Sequence, residues 1–194
     1  MKFILHSALA LSLVLACPLR AQDEDQPERD YAAERAEKVE AIKEKMKYFE
    51  SHVGEWTGEE RYHVLPTDVE SETKDEWKGF FSLDGTHFEM HGKGVSEEGP
   101  TTYKWICTYD AAGEVYRAWY FDSSGNKDQY EMDWDDDKKV LVWTSEDEEL
   151  GTVSTFFMRV KGNEITGEGE TSAAGSGAPL IKHTMTYKKK KLKV

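Results

Sequence analysis

Histidine and glutamate side chains alternate with apolar ones in the segment His87-Phe88-Glu89-Met90-His91. On a strand, residues two apart share a face at about 7 Å, so His87 with Glu89, or Glu89 with His91, could bind one metal ion. His87 and His91 are about 13 Å apart along a strand and cannot share an ion. Phe88 and Met90 are expected to face the core, which turns the other three side chains outward. We therefore expect a solvated outer face here, and no metal site.

His183 is the best candidate for a polar group that points inward, because it alternates with Ile181, Met185 and Tyr187 near the C-terminus. A hydrogen-bonded histidine inside the core is the interpretation we favour. The alternatives are a contact with a bound ligand, or a haem ligand.

Acidic residues form two further candidate sites. Asp133, Asp135, Asp136 and Asp137 could attract Ca²⁺, but they lack the spaced ligands of a dedicated calcium loop, so an exposed acidic hairpin is expected. Glu60 shares a strand face with Trp56 and Tyr62. If that face is inward, Glu60 needs a partner such as Arg117 or a lysine, and it could orient a polar ligand. It could equally lie at a solvated barrel mouth.

Catalytic motifs are not evident. The sequence has no serine, histidine and aspartate in the order of a catalytic triad with a nucleophile elbow. It also has no cysteine and histidine spacing typical of a zinc site and no glycine-rich phosphate-binding loop. Cys107 has no basic neighbour or helix N-terminus to lower the pKa of its thiol, so we expect a buried, inert cysteine. The sequence therefore predicts no cofactor, with haem as the alternative, and it favours a protein that is not an enzyme.

Residues 101–134 show the pattern that must position these side chains. Every second residue is large or apolar in Tyr103, Trp105, Cys107 and Tyr109, which is typical of a half-buried strand. Short polar turns separate this segment from 115–121 and from 130–134, and the inward face of 115–121 is ambiguous because both faces carry aromatic residues. Similar short segments precede and follow, joined by links of hairpin length. We predict a mainly β protein, an antiparallel up-and-down β-barrel of about ten strands over residues 54–188.

One amphipathic α-helix is predicted before the barrel, over residues 31–53. Val39, Ile42, Met46, Phe49 and Val53 are spaced three and four apart and form one apolar stripe. The stripe either covers the sheet or pairs with a second copy in a homodimer. We favour the first, because five positions make a short seam for a coiled coil.

The N-terminus has the composition of a secretory signal peptide. Residues 1–21 carry a positive start, an apolar run too short to span a membrane and a small residue, Ala21, at the expected cleavage point. Cys17 also permits a lipoprotein, as the less favoured alternative. Either way we expect a periplasmic or extracellular protein, with a disordered acidic segment at 22–30.

Charge narrows the range of partners. The chain of 194 residues has a formal net charge of −13, which argues against a nucleic acid partner. The exception to this acidic character is a short basic tail at 189–194. We favour the interpretation that this tail is a solvated chain end.

Several short motifs resemble, in order and spacing, a family of bacterial secreted proteins known as domain of unknown function 1579. They are Gly54-Glu55-Trp56, Asp84-Gly85, Thr108-Tyr109-Asp110, Trp119-Tyr120-Phe121-Asp122-Ser123 and Thr186-Tyr187-Lys188. The resemblance covers about residues 46–191. It implies a lipocalin-like, calycin-type barrel without an established activity, in which Gly54, Trp56, Tyr109, Asp110 and Asp122 are structural residues.

Two related barrel families add expectations. Gly54-x-Trp56 is similar to the lipocalin signature, in which the tryptophan packs over the closed end and an arginine from the last strand lies on it; here that segment offers Lys188 and Lys189. Barrels of the nitrobindin type bind haem through a histidine of the last strand. His183 is the corresponding candidate, although it lies one residue from the position of that ligand relative to Tyr187.

The function expected from these features is the binding of a small apolar or amphipathic molecule inside the barrel. The predicted ligand-binding residues are Tyr62, Trp77, Phe81, Phe88, Tyr103, Trp105 and His183. A filled barrel that serves as a structural or interaction protein is the alternative. It would dock a partner or a second copy through the helix and the outer aromatic face of 115–121, which is either Tyr116 and Tyr120 or Trp119 and Phe121. A haem-binding barrel that uses His183 is less favoured.

Overall fold

A computed structural model of the chain describes residues 30–191. The predictions for the signal peptide, Cys17, residues 22–29 and residues 192–194 lie outside this range. Within it, no helix is both long enough and apolar enough to cross a bilayer.

The described chain folds into a closed, ten-stranded antiparallel barrel, as the alternation of polar and apolar residues predicts. Each strand pairs with its neighbours in sequence, and the first pairs with the last, so the barrel has no free edge. The strands are β1 (Gly54–Val64), β2 (Val69–Ser82), β3 (His87–Ser96), β4 (Gly99–Asp110), β5 (Val115–Asp122), β6 (Lys127–Asp135), β7 (Val140–Asp147), β8 (Thr152–Lys161), β9 (Glu164–Ala173) and β10 (Pro179–Lys189). Lys189, the expected start of the basic tail, is therefore the last residue of β10.

The pairing register decides which face of β5 is inward. Cys107 on β4 pairs with Phe88 on β3 and with Ala118 on β5, and all three are fully buried. Because side chains alternate along a strand, Tyr120 shares the inward face of Ala118. Phe121 is 45% exposed and faces out.

A helical segment closes one end of the barrel. Helix α1 (Tyr31–Met46) continues into a 3₁₀ helix, Lys47–His52, and the apolar stripe packs against the barrel. Phe49 stacks on Phe88 with ring centroids 5.0 Å apart, and Tyr116 donates a hydrogen bond to the Lys45 carbonyl. The predicted stripe is wrong at its last position, since Val53 is exposed and His52 is buried in its place. A 3₁₀ helix has three residues per turn, so the buried face continues from Phe49 to His52.

Trp56 lies at this closed end, as the lipocalin-like signature implies. It is fully buried, donates a hydrogen bond of 2.9 Å from Nε1 to the His52 carbonyl, and stacks on Trp77 with centroids 5.4 Å apart. The ammonium of Lys189 lies 5.3 Å from the Trp56 ring centroid, the place that an arginine takes in lipocalins. Gly54 makes room for it: a Cβ at Gly54 would lie 2.6 Å from Cε of Lys189, and its φ is +128°.

The other residues expected to be structural organise hairpins. Asp110 accepts hydrogen bonds from the backbone N–H of Ala112 and Gly113 and from Arg117. Asp122 accepts in the same way from the backbone of Ser124 and Asn126 at the opposite end of the barrel. Tyr109 contacts Tyr116 edge to face, with centroids 5.0 Å apart, beneath the helix. Each aspartate satisfies turn N–H groups that would otherwise lack a partner.

Cys107 belongs to the core at the closed end. Its side chain is fully buried and forms no disulfide. Burial raises the pKa of its thiol well above the ordinary value, so the thiolate required for nucleophilic chemistry is not accessible at neutral pH.

Candidate functional site

The barrel interior contains a cavity of about 560 Å³ between the closed end and the opposite, open end. His52 forms part of its lining from the helical segment, and the strands supply the walls. Five of the seven predicted ligand-binding residues line it: Tyr62, Trp77, Tyr103, Trp105 and His183. The other two, Phe81 and Phe88, do not. They contact each other, with centroids 5.7 Å apart, and Phe88 packs under Phe49 of the helical cap.

A hydrogen-bonded cluster of carboxylates and tyrosines crosses the middle of the cavity wall. The Tyr187 hydroxyl on β10 lies 2.5 Å from Oε1 of Glu60 on β1 and 2.5 Å from Oδ2 of Asp75 on β2. Tyr62 donates to Glu60 at 2.6 Å, and Tyr103 donates to Asp75 at 2.5 Å. The cluster thus joins two acidic side chains through three hydroxyl groups.

Glu60 therefore faces inward, and its partners differ from those expected. The predicted partner Arg117 instead pairs on the outside of the barrel with Asp110 and Glu131. Burial alone would raise the pKa of Glu60, but the neighbouring His183 and the hydroxyls of Tyr187 and Tyr62 bring it below its ordinary value. Glu60 is accordingly an ionised carboxylate inside the barrel.

Asp75 is the functional candidate that the sequence interpretation missed. It is 4% exposed, and its Oδ1 has no hydrogen-bond partner among the described residues. Burial raises the pKa of Asp75 to about 6, although the hydrogen bonds from Tyr103 and Tyr187 oppose the shift. The available signal was its position two residues before Trp77, on the same strand face.

The tyrosines act as permanent hydrogen-bond donors. Burial and the nearby carboxylates raise the pKa of Tyr62, Tyr103 and Tyr187 far above the ordinary value. Each keeps its proton at any physiological pH. They therefore present fixed O–H groups to the carboxylates.

His183 lies flat between two aromatic rings. Its centroid is 4.1 Å from that of Tyr62 and 4.8 Å from that of Phe156, and both pairs are nearly parallel. Nε2 is buried 3.4 Å from Oε2 of Glu60, without hydrogen-bond geometry. The ring is thus held by packing and by its proximity to a carboxylate.

Two other polar atoms of the lining lack partners in the described part of the chain. They are Nε1 of Trp143, which is a donor, and Nε2 of His52. Burial, followed by the charge of Lys189, lowers the pKa of His52 to about 3, so this imidazole is neutral. Buried polar groups are normally satisfied, so unpartnered ones in a cavity mark places for water or a ligand.

The acidic and histidine-rich surface segments form ordinary exterior contacts. Glu89 pairs on the outer face with Lys104 at 2.7 Å and with His91 at 2.9 Å. Asp135 accepts hydrogen bonds from the backbone of its own turn, and Asp136 pairs with Lys139. Within residues 30–191, no group of three or more histidine, cysteine or acidic residues has an arrangement that could hold a metal ion.

Solved structures with the same barrel come from distant sequences. The protein Rv2717c from M. tuberculosis superposes with a TM-score of 0.56 at 11% identity, covering 75% of this chain and 97% of that one. An S-type phycobiliprotein lyase, CPES from Guillardia theta, gives 0.52 at 12% identity, covering 76% and 93%. Fatty-acid-binding protein 1 of Echinococcus granulosus gives 0.44 at 14%, covering 72% and 98%.

These similarities show the fold alone, because the identities are low. No protein-family model and no curated protein matches the chain. Membership of the family with domain of unknown function 1579 therefore stays a prediction. What the described residues and the structural neighbours establish together is the fold, a closed, ten-stranded, lipocalin-like antiparallel barrel.

Proposed function

We propose that this protein binds a small amphipathic molecule inside its barrel. The observation that carries the proposal is a cavity of about 560 Å³ whose aromatic walls surround a buried polar cluster. Ligand pockets are typically of this size, about 300–1,000 Å³, with apolar walls and a few placed polar groups. A purely apolar ligand would leave Asp75 Oδ1 without a partner, which favours an amphipathic one.

The alternative of a filled barrel is less well supported, because the aromatic side chains leave this volume open. The helix stripe, the candidate seam for a homodimer, is already buried against the barrel at Met46 and Phe49. Phe121 on the outer face of β5 remains exposed, but a single exposed aromatic residue is ordinary for a protein surface.

Haem does not fit the position of His183. Coordination requires an imidazole nitrogen free to approach iron in the plane of the ring, whereas Nε2 of His183 is buried beside Glu60. The arrangement supports a histidine that packs against the ligand cavity, so we assign it no haem.

Export completes the proposal. The composition of residues 1–21 is that of a secretory signal peptide, so we propose that the ligand is bound in the periplasm or outside the cell. We also propose, from the order and spacing of the short motifs, that the chain belongs to the family with domain of unknown function 1579. Expression of the full chain in a Gram-negative bacterium, followed by fractionation and mass measurement of the product, tests both the export and the expected cleavage after Ala21.

Native mass spectrometry of the exported protein tests ligand binding. We expect an additional mass that leaves on denaturation. Ser154 lines the cavity, and Ser154→Phe should fill part of it and reduce the fraction carrying that mass. Thr166→Phe, on the exposed face of β9, is the matched control and should retain it. A bare monomer that also fails to bind apolar fluorescent probes would contradict the proposal.

A further inference from the structure

The charged side chains that line the cavity are predominantly acidic. Glu60 and Asp75 lie at mid-barrel, and further carboxylates line the cavity from Glu98, Asp122 and Asp128. Among the lining residues of the described range, Lys127 is the only lysine or arginine. The interior therefore presents a negative potential to an entering molecule.

No lysine or arginine in the described range forms an ion pair with the central carboxylates. The side-chain contacts of Glu60 are the hydroxyls of Tyr62 and Tyr187 and the His183 ring, and those of Asp75 are the hydroxyls of Tyr103 and Tyr187. Hydroxyl groups stabilise an anion but do not neutralise it, and hydroxyls are the only side-chain partners of Asp75 among the described residues, whereas Glu60 also has the His183 ring beside it. Two carboxylates that share one hydroxyl in a desolvated site raise each other's energy, and a bound cation would remove this cost.

Asp75 provides a second, independent indication of a missing donor. Its side chain is almost entirely buried at the cavity wall, and Oδ1 accepts no hydrogen bond from the described residues. An unpaired buried carboxylate oxygen is costly, so its natural complement is an N–H group of the ligand.

Aromatic rings surround the same region and suit a cation as well. Tyr62 lies beside Glu60, and Tyr103 contacts Tyr120, which in turn packs on Trp105 with centroids 4.9 Å apart. The faces of such rings attract ammonium groups when water is excluded. Carboxylates and aromatic walls together form a common recognition chemistry for amines.

Building on the ligand-binding function proposed above, we propose that the ligand is an organic amine. Its protonated nitrogen lies at Glu60 and Asp75, and its apolar body lies against Trp77, Met90 and Trp105. A fatty acid would instead bring its carboxylate toward two like charges, which is unfavourable in a low-dielectric interior. The barrel thus selects for positive charge.

Three probes of equal chain length test the selectivity: dodecylamine, dodecanol and dodecanoate, each below its micelle concentration. Binding to the full exported chain is measured by titration calorimetry and by quenching of the cavity tryptophans. We expect dodecylamine to bind at least about tenfold more tightly than dodecanoate, the difference that one well-placed charge interaction supplies.

Variants locate the charge preference within the cavity. Glu60→Gln and Asp75→Asn should each weaken dodecylamine binding about tenfold or more and leave dodecanol binding nearly unchanged. Glu168→Gln, on the exposed face of β9, removes the same charge from the outside and should have no effect. If either carboxylate variant fails to fold, Met185→Lys provides the second test. Met185 pairs with Glu60 across β1 and β10, so the new ammonium should occupy the proposed site and shift the preference toward dodecanoate.

The outcomes separate this proposal from the one on which it depends. Equal or tighter binding of dodecanoate, or equal loss in Glu168→Gln, overturns the amine assignment and leaves a ligand-binding barrel. Failure of all three probes, together with a bare native mass, overturns ligand binding itself.

Discussion

Tyr187 and Asp75 are joined by a hydrogen bond of 2.5 Å, although they lie on strands β10 and β2, which are separated by β1. The same hydroxyl also lies 2.5 Å from Glu60 on β1, so one side chain links three consecutive strands at the seam where the barrel closes. A hydroxyl has one proton and donates to one carboxylate at a time. Close approach to both is stable when one carboxyl is protonated and donates to the tyrosine oxygen. The raised pKa of Asp75, about 6, identifies it as the carboxyl that takes the proton as pH falls below that value; at neutral pH both Asp75 and Glu60 are charged.

Removal of the Tyr187 hydroxyl should destabilise the barrel. Tyr187→Phe leaves two buried carboxyl groups each short of one hydrogen bond, which should lower the free energy of unfolding by about 1–3 kcal/mol. Urea denaturation followed by tryptophan fluorescence measures the change. Tyr31→Phe removes a hydroxyl from a side chain that is 71% exposed and should change stability by less than about 0.5 kcal/mol. Equal stability of the two variants would show that the bridge contributes little.

Asp75 should make the protein less stable as pH rises. Burial raises its pKa from 3.8 to about 6, so the folded state binds the proton more tightly than the unfolded state does. Protonated Asp75 therefore adds to the free energy of unfolding, and this stabilisation is fully present below pH 3.8, the pKa of the group in the unfolded chain. It is lost as pH rises through about 6, and the loss in unfolding free energy is roughly 3 kcal/mol. Glu60, Tyr103 and Tyr187 face this group, and none of them has a pKa raised into that window.

Asp75→Asn isolates this effect from the rest of the protein. His52 has its pKa lowered from 6.5 to about 3, so it acts in the opposite direction and loses stability as pH falls through this window. The difference in unfolding free energy between wild type and Asp75→Asn, measured from pH 4.5 to 7.5, cancels that background. A difference that stays constant across the range would contradict the raised pKa.

Lys189 should stabilise the closed end through its charge over Trp56. Lys189→Met keeps much of the apolar stem and removes the ammonium, which should cost about 0.5–2 kcal/mol of stability. Lys189→Arg restores a cation of the kind that lipocalins place here and should retain or increase stability. Thermal unfolding compares the three proteins at one pH. A stable Met variant would mean that the stem alone provides the contact.

The change to a 3₁₀ helix before β1 can be tested with two substitutions in the same predicted stripe. Phe49 is 1% exposed and stacks on Phe88, so Phe49→Ala should cost about 3–5 kcal/mol. Val53→Ala, at a residue that is 36% exposed, should cost less than about 1 kcal/mol. A continuous α-helical stripe would instead make both substitutions costly. Denaturant unfolding distinguishes the two cases.

Local pattern alone determined the architecture of this protein. Alternation in Tyr103, Trp105 and Cys107, with regular polar turns, was sufficient to predict antiparallel strands in an up-and-down barrel of about ten, because side-chain direction in a strand depends only on residue parity. The same parity indicated that Tyr62 and His183 share an inward-facing side with apolar neighbours, and both line the cavity.

Tertiary structure decided which inward residues meet and which remain apart. Phe81 and Phe88 have the same parity signal as Trp77, yet they fill the closed end because the helical cap packs over them. Glu60 and Asp75 lie on neighbouring strands, and a tyrosine more than a hundred positions away brings them into one cluster when β10 closes on β1. Such a contact depends on strand register and barrel closure, which are cooperative properties of the whole sheet. The residue spacing within a single strand therefore does not predict it.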